Sequence, residues 1–136
     1  LLTDHPLTAM MVDIDNFKAI NDKYGHPFGD KVIKDISEAL RTSLRPTDSI
    51  GRYGGDEFLV ILEDCPFNRS EELSQRILEH INALRFIHNE QEIDVSISIG
   101  FSATDKQEIL SQEHLLEAAD IGLYKAKKSG RNCAKG

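Results

Sequence analysis

Cysteine is scarce in this chain, and the two thiols, Cys65 and Cys133, stand at no metal-ligand spacing. Nothing about them suggests an oxidising compartment, so they read as inert or buried thiols of a reduced, cytoplasmic domain. Long apolar runs are missing as well. None approaches the roughly 20 residues that cross a bilayer, and no membrane contact by this domain is expected. Positive charge is the third shortage: 16 Lys and Arg stand against 23 Asp and Glu, a formal net charge of −7. Such a chain does not draw in nucleic-acid backbones by its overall field, and it carries no basic stripe, which disfavours DNA or RNA as a partner. An anionic ligand would have to be met by local lysines, arginines or bound cations. There is no secretory signal and no initiating Met, so the chain reads as part of a longer protein.

What remains is an ordinary globular composition, 40 % apolar and 29 % charged over 136 residues, enough to bury a core. No repeat, low-complexity tract or linker divides it, and residues 1–136 read as one domain. The run from Leu7 to Asp15 is mostly apolar and ends in carboxylates, the pattern of a strand buried on both faces. A short helix follows over Asn16 to Tyr24 and stops at Gly25. Pro27 opens a longer helix with Val32, Ile33, Ile36 and Leu40 at helical spacing. Ser49–Tyr53 and Phe58–Leu62 flank Gly54-Gly55 as a hairpin. Ser70 is placed to cap a helix through Leu73, Ile77, Ile81 and Leu84. Alternation over Ile93–Ile99 predicts a half-buried strand, with an extra strand possible over Phe86–Gln91. A last helix runs from about Ser111 to Lys128 and ends at Gly130. This order gives α/β layers with helices covering a mixed sheet.

The acids fall where strands end. Asp13 and Asp15 share a face because side chains alternate along a strand. Asp56 and Glu57 follow the Gly-Gly turn, and their side chains should diverge, so only one joins Asp13 easily. A hairpin beside the first strand would bring Asp13 and Asp56 together. Clustered carboxylates repel unless they share a cation or a proton, and an all-oxygen site favours Mg²⁺. Gly54 and Gly55 either form a tight turn or let a ligand approach the backbone closely.

Gly54-Gly55-Asp56-Glu57-Phe58 resembles the signature of the GGDEF-domain family of diguanylate cyclases. Asp13-Ile14-Asp15-Asn16-Phe17-Lys18, Asn21-Asp22, Gly25-His26 and Gly29-Asp30 are similar to the family's first block. Arg52-Tyr53 precede the glycines in the family manner. Asp120, Leu123-Tyr124, Ala126-Lys127 and Gly130-Arg131-Asn132 resemble its closing block. The blocks occur in order and span almost the whole chain.

The resemblance implies a palm-like nucleotidyl-cyclase fold with a central mixed, mainly antiparallel sheet flanked by helices. It implies that two GTP molecules are condensed into cyclic di-GMP with release of pyrophosphate. Asp13, the carbonyl of Ile14 and Asp56 would then hold Mg²⁺, with Mn²⁺ as a substitute. Asp56 would also act as base, with Glu57 as a further ligand or electrostatic partner. Lys18 would stabilise phosphate charge, and Lys127 and Arg131 would bind the β- and γ-phosphates. Asn21, His26 and Asp30 would line the guanosine pocket, where a carboxylate can accept the paired N1–H and N2–H donors of guanine. Each residue also has a plainer role open to it. Lys18, Lys127 and Arg131 suit helix ends, His26 suits a turn, Asp30 a helix cap, and Asn21 local backbone contacts.

Arg45 and Asp48 form an R-x-x-D pair at the spacing of the family's product-inhibition site, with Arg76 as a secondary contact, or else a surface ion pair of little consequence. The resemblance thus implies cyclic di-GMP as both product and inhibitor. Each domain holds one GTP, so activity would need a homodimer, and an upstream sensor or regulatory domain is expected. Two features depart from the family. Leu1–Pro6 do not match its usual segment before the first strand, and Gly122 stands where Ala is common. The rival readings are a non-catalytic module that binds GTP or cyclic di-GMP, and another nucleotidyl cyclase or polymerase palm.

Overall fold

The computed structural model describes residues 5–136. Leu1–Asp4, two-thirds of the departing first segment, lie outside the described residues. Strand β1, Thr8–Ile14, is buried along its entire length. Its alternate side chains enter two different cores. Met10, Val12 and Ile14 pack with Ile20, Val32, Ile36, Leu40, Ile77 and Ile81, whereas Ala9 and Met11 pack with Leu115, Ala119 and Leu123. That is why the run reads as continuously apolar. Asn16, in the left-handed region at φ 54°, turns the chain out of the strand into helix α1, Phe17–Tyr24.

Gly25, at φ 93°, both ends α1 and begins α2, His26–Thr42, with Pro27 in its first turn. Strands β2, Ser49–Arg52, and β3, Glu57–Leu62, form the antiparallel hairpin around Gly54-Gly55. Helix α3, Phe67–Ala83, leads to a small hairpin, β4 Phe86–His88 and β5 Gln91–Ile93, which contains the extra strand foreseen over Phe86–Gln91. Strand β6, Ile97–Ala103, helix α4, Gln112–Lys128, and β7, Ala134–Lys135, complete the chain. The main sheet has the order β2-β3-β1-β6-β7, antiparallel except where β7 lies parallel to β6. Helices α1, α2 and α3 contribute to one core and α4 to the other, so helices flank a mixed sheet on both sides. No described helix is long and apolar enough to cross a membrane.

Two local readings are corrected. Ser70 does not cap α3, which starts three residues earlier after Pro66; the Ser70 hydroxyl is buried and donates to the Phe67 carbonyl at 2.6 Å. The first free N–H of the helix, that of Phe67, donates instead to the Asp105 carboxylate at 3.0 Å, a partner distant in sequence, so the helix opens at Pro66-Phe67 without Ser70. The alternation over Ile93–Ile99 is not one half-buried strand. Ile93 closes β5, while β6 begins at Ile97 and is buried on both faces because α4 covers its Ser98, Gly100 and Ser102 side. Small residues there mimic a polar face.

Gly100 and Gly122 explain how closely α4 lies on the sheet. A Cβ on Gly100 would collide with the backbone of Ala119 and Leu123, and one on Gly122 with the Lys135 carbonyl of β7. The lower helix propensity of Gly122, about 1 kcal/mol against Ala, is therefore offset by the room it makes for β7. Gly100→Ala is expected to lower unfolding free energy by about 2–3 kcal/mol through overpacking. Gly51→Ala, with open space around it, should change it by less than about 0.5 kcal/mol. Urea denaturation of both variants checks the contrast.

Candidate active site

The register of the sheet sets the first contacts. Asp13 lies opposite Glu57 on β3 and Ser98 on β6, and the Ile14 N–H donates to the Asp56 carbonyl at 3.0 Å. The side chain of Asp56 reaches Asp13, whereas the Glu57 carboxylate folds back over Gly54. Neither Gly54 nor Gly55 has a positive φ. Their use here is space: a Cβ on Gly54 would stand 2.9 Å from the Glu57 Oε1, while Gly55 faces open space.

Asp13 is only 7 % exposed, and the ammonium of Lys127 from α4 forms an ion pair with its Oδ2. Burial pushes the Asp13 carboxyl above its ordinary value; the Lys127 hydrogen bond opposes this, and the Asp56 charge adds to it. The other oxygen, Oδ1, is buried with no hydrogen-bond partner among the described residues. An orphaned carboxylate oxygen in that position is costly unless something positive meets it. Among the described residues no group of three or more His, Cys, Asp or Glu gathers that could hold an ion. Two carboxylates and a backbone carbonyl suit a hard cation that takes its remaining ligands from water and phosphate, as Mg²⁺ does. The donor set fits such an ion.

Asp15 lies just past β1 and is 6 % exposed. It accepts hydrogen bonds from the Ser96 and Ser98 hydroxyls, both at 2.6 Å, and from the Asn132 N–H at 3.0 Å. Its sequence neighbours Asp13 and Asn16 gave no hint of this, because the three donors come from residues 81 to 117 positions away.

Across the α1–α2 corner, Asn21 packs against Gly29, and its Oδ1 is also buried and unpartnered. A Cβ at position 29 would collide with the Asn21 amide, so a glycine inside a helix is the sequence signal for this contact. Asp30 follows Gly29 on exposed surface, and His26 stands one turn before it. Asp30 is not a cap, since α2 begins at Gly25 without a side-chain capping bond. Lys18 projects from α1 into solvent, as does Arg131 from the turn after α4. The structure therefore brings Asp13, Ile14, Asp56 and Lys127 into one cluster. Lys18, His26, Asp30 and Arg131 make no contact with it.

Arg45 and Asp48 lie at a second place, the turn before β2. The Asp48 side chain is 1 % exposed and accepts from the Arg45 backbone at 2.9 Å, from its guanidinium at 3.0 and 3.2 Å, and from the Glu63 N–H at 3.3 Å. Burial opposes ionisation, but these bonds from Arg45 hold the Asp48 carboxyl below the ordinary aspartate value. A cavity of about 160 Å³ is lined by Arg45, Asp48, Arg69, Glu72 and Arg76 among others. Arg69 carries no motif and was not singled out by the sequence.

The sheet order and the carboxylates at its central strand ends define a palm-like nucleotidyl-cyclase domain. The family model for "Diguanylate cyclase, GGDEF domain" matches residues 2–133, and the chain belongs to that family. It is 41 % identical over 133 residues to the response regulator PleD of Caulobacter vibrioides, across 96 % of this chain and 29 % of PleD. It is 41 % identical over 129 residues to the diguanylate cyclase DgcS of Shewanella oneidensis, across 95 % of this chain and 42 % of DgcS. The chain thus spans less than half the length of these relatives. Among solved structures it is similar to the GGDEF domain of DgcB from Caulobacter crescentus in complex with c-di-GMP, with TM-score 0.88 and 26 % identity over 97 % of this chain and 78 % of that one. It is also similar to the active GGEEF domain of a diguanylate cyclase from Vibrio cholerae, with TM-score 0.87 and 29 % identity over 97 % and 83 %.

The depressed Asp48 carboxyl has a sign that can be checked. Its contribution to stability is present above the ordinary value near 3.8 and is lost as pH falls through the lower folded value. Asp48→Asn should cost about 1–3 kcal/mol at pH 7. In unfolding curves the gap to wild type should narrow as pH falls below the ordinary value near 3.8 and close only beneath the lower folded value.

Proposed function

We propose that this domain condenses two GTP molecules into cyclic di-GMP, with Asp13, the Ile14 carbonyl and Asp56 holding Mg²⁺, for which Mn²⁺ substitutes. The observation that carries the reading is the buried, unpartnered Oδ1 of Asp13 beside Asp56, at the place where the backbone of Ile14 meets the Gly-Gly hairpin. When bound, the ion would lower the pKa of the attacking hydroxyl and neutralise charge on the leaving group.

The chain's own residues supply the rest. The 3′-oxygen of one GTP forms a bond to the α-phosphorus of the other, the bond to the pyrophosphate oxygen breaks, and the hydroxyl proton passes to Asp56. The same exchange in the reverse sense closes the ring. Glu57, turned over Gly54, adds negative charge behind Asp56. Lys127 gives up Asp13 for the β- and γ-phosphates, joined by Arg131 from the turn after α4, and Lys18 approaches from α1. Displacement at phosphorus depends on such positioning and charge, without a covalent nucleophile. Asn21 and Asp30, flanking the Gly29 contact, read the guanine edge, and His26 closes the pocket.

One domain presents one GTP, so two copies face each other in the active species, brought together by a regulatory segment of the longer protein. A domain that uses GTP works in the cytoplasm. We place the inhibitory site in the Arg45–Arg76 cavity, where Asp48 holds the Arg45 guanidinium toward an anionic or guanine ligand and Arg69 adds charge.

Product analysis after incubating the concentrated domain with GTP and Mg²⁺ tests the reaction. Cyclic di-GMP is expected from the intact chain, none from Asp56→Ala, and none after chelation of the metal. Bound GTP without product, even in an artificially dimerised domain, would make this a GTP receptor. Inhibition is tested separately: Arg45→Ala should raise the cyclic di-GMP concentration for half-inhibition by at least about tenfold, 1.4 kcal/mol of binding, while initial rates stay near wild type. An Arg45→Ala domain as product-sensitive as the wild type would remove the inhibitory site from this cavity.

A further inference from the structure

The carboxylate of Asp15 is the best-satisfied buried acid near the site, yet the reaction above does not use it. Its Oδ1 takes the Ser98 hydroxyl, and its Oδ2 takes both the Ser96 hydroxyl and the Asn132 N–H. Its own N–H donates to the Ser96 carbonyl at 2.9 Å, so the residue is tied to the chain at β6 through backbone and side chain together. The contact to Asn132 is of a different kind, because it crosses to the turn after α4. There Arg131 and Asn132 both adopt left-handed conformations, φ 65° and 48°, in succession. That geometry is uncommon for a residue such as arginine and persists only where its surroundings hold it. Two bonds do so: Arg131 N–H to the Ala126 carbonyl at 3.0 Å, and Asn132 N–H to Asp15.

We propose that Asp15 is a positioning residue that fixes the Arg131 turn, and through it the phosphate-binding guanidinium, relative to the end of β1. The inference rests on the phosphate role given to Arg131 above. A carboxylate is suited to the task because it accepts three hydrogen bonds from one buried point, and charge-assisted bonds of this kind are stronger than neutral ones. It joins the two halves of the site, one from residues 13–18 and the other from residues 127–131.

The test is a double-mutant cycle read by calorimetric binding of 3′-deoxy-GTP with Mg²⁺, which lacks the attacking hydroxyl and so binds without turnover. Asp15→Ala and Arg131→Ala are each expected to weaken binding by about tenfold, and the double variant by no more than Arg131→Ala alone, since both changes remove one interaction. Asp15→Asn keeps an oxygen for Asn132 and should fall between wild type and Asp15→Ala. It also carries the test if the alanine variant fails to fold. Two results would overturn the proposal: wild-type affinity in a folded Asp15 variant, or losses that multiply to about a hundredfold in the double variant. Failure of the underlying reading looks different, because the wild type would then bind no 3′-deoxy-GTP, or Arg131→Ala would bind it normally.

Discussion

The structure is organised around one electrostatic problem, a carboxylate placed at the end of a strand that is buried on both faces. Asp13 continues a run whose other members, Thr8 apart, are apolar, and it ends where β1 is flanked by β3 and β6. Taking a carboxylate out of water is expensive, and the attraction of one lysine repays it only when the remaining lone pairs are also satisfied. Lys127 meets one oxygen of Asp13; no described residue hydrogen-bonds the other, and Asp56 adds a second negative charge. A fold selected for stability alone would place an apolar residue here. Retaining the acid makes sense if a positive ion belongs to the site.

Everything around that point serves close approach. The hairpin carries Gly54 where a side chain would crowd Glu57, and α2 carries Gly29 where a side chain would displace Asn21. Helix α4 brings Lys127 to Asp13 only because Gly100 lets the helix backbone rest directly on β6. Interiors are too tightly filled for such contacts to be adjusted by small shifts. The glycines of this chain are therefore mostly records of where backbones or functional side chains meet, rather than of turns. Gly25 and Gly130, with their positive φ values, and Gly51 and Gly55, which face open space, are the exceptions.

This distinction also explains what could be read from the sequence. β1, α1, α2, the Gly-Gly hairpin and α4 were legible because periodicity and punctuation agree there. The pairing of Asp13 with Asp56 followed once the hairpin was set beside β1. Ser70 misled because its hydroxyl turns back onto the Phe67 carbonyl, leaving Pro66 to open the helix. Ile93–Ile99 misled because Ser96 and Ser98 look like a solvent face, while their hydroxyls in fact reach Asp15. The same serines hide the role of Asp15, which depends on partners from β6 and from the last turn. Such a convergence leaves no local pattern, and only the tertiary fold displays it.

The acidic balance of the chain gives these local arrangements their consequence. With a net charge of −7, the surface as a whole repels a polyphosphate. Cations are met instead at two places: Lys127 stands against Asp13 at the end of β1, and Arg45, Arg69 and Arg76 line the cavity beside β2. Attraction is then confined to sites where geometry also selects the ligand, because at physiological salt the field of each cluster fades within about 8 Å. At the first place the negative carboxylates stand next to Lys127, so a bare polyphosphate meets repulsion from Asp13 and Asp56 as well as attraction. A polyphosphate that arrives with a divalent ion meets attraction from both. Under the proposed reaction this mixture of charges would favour metal-bound nucleotide over free nucleotide, a preference that a purely basic pocket would not have. The arginine cavity has its one buried acid, Asp48, already occupied by Arg45 and Glu63, and presents its positive charge without that requirement.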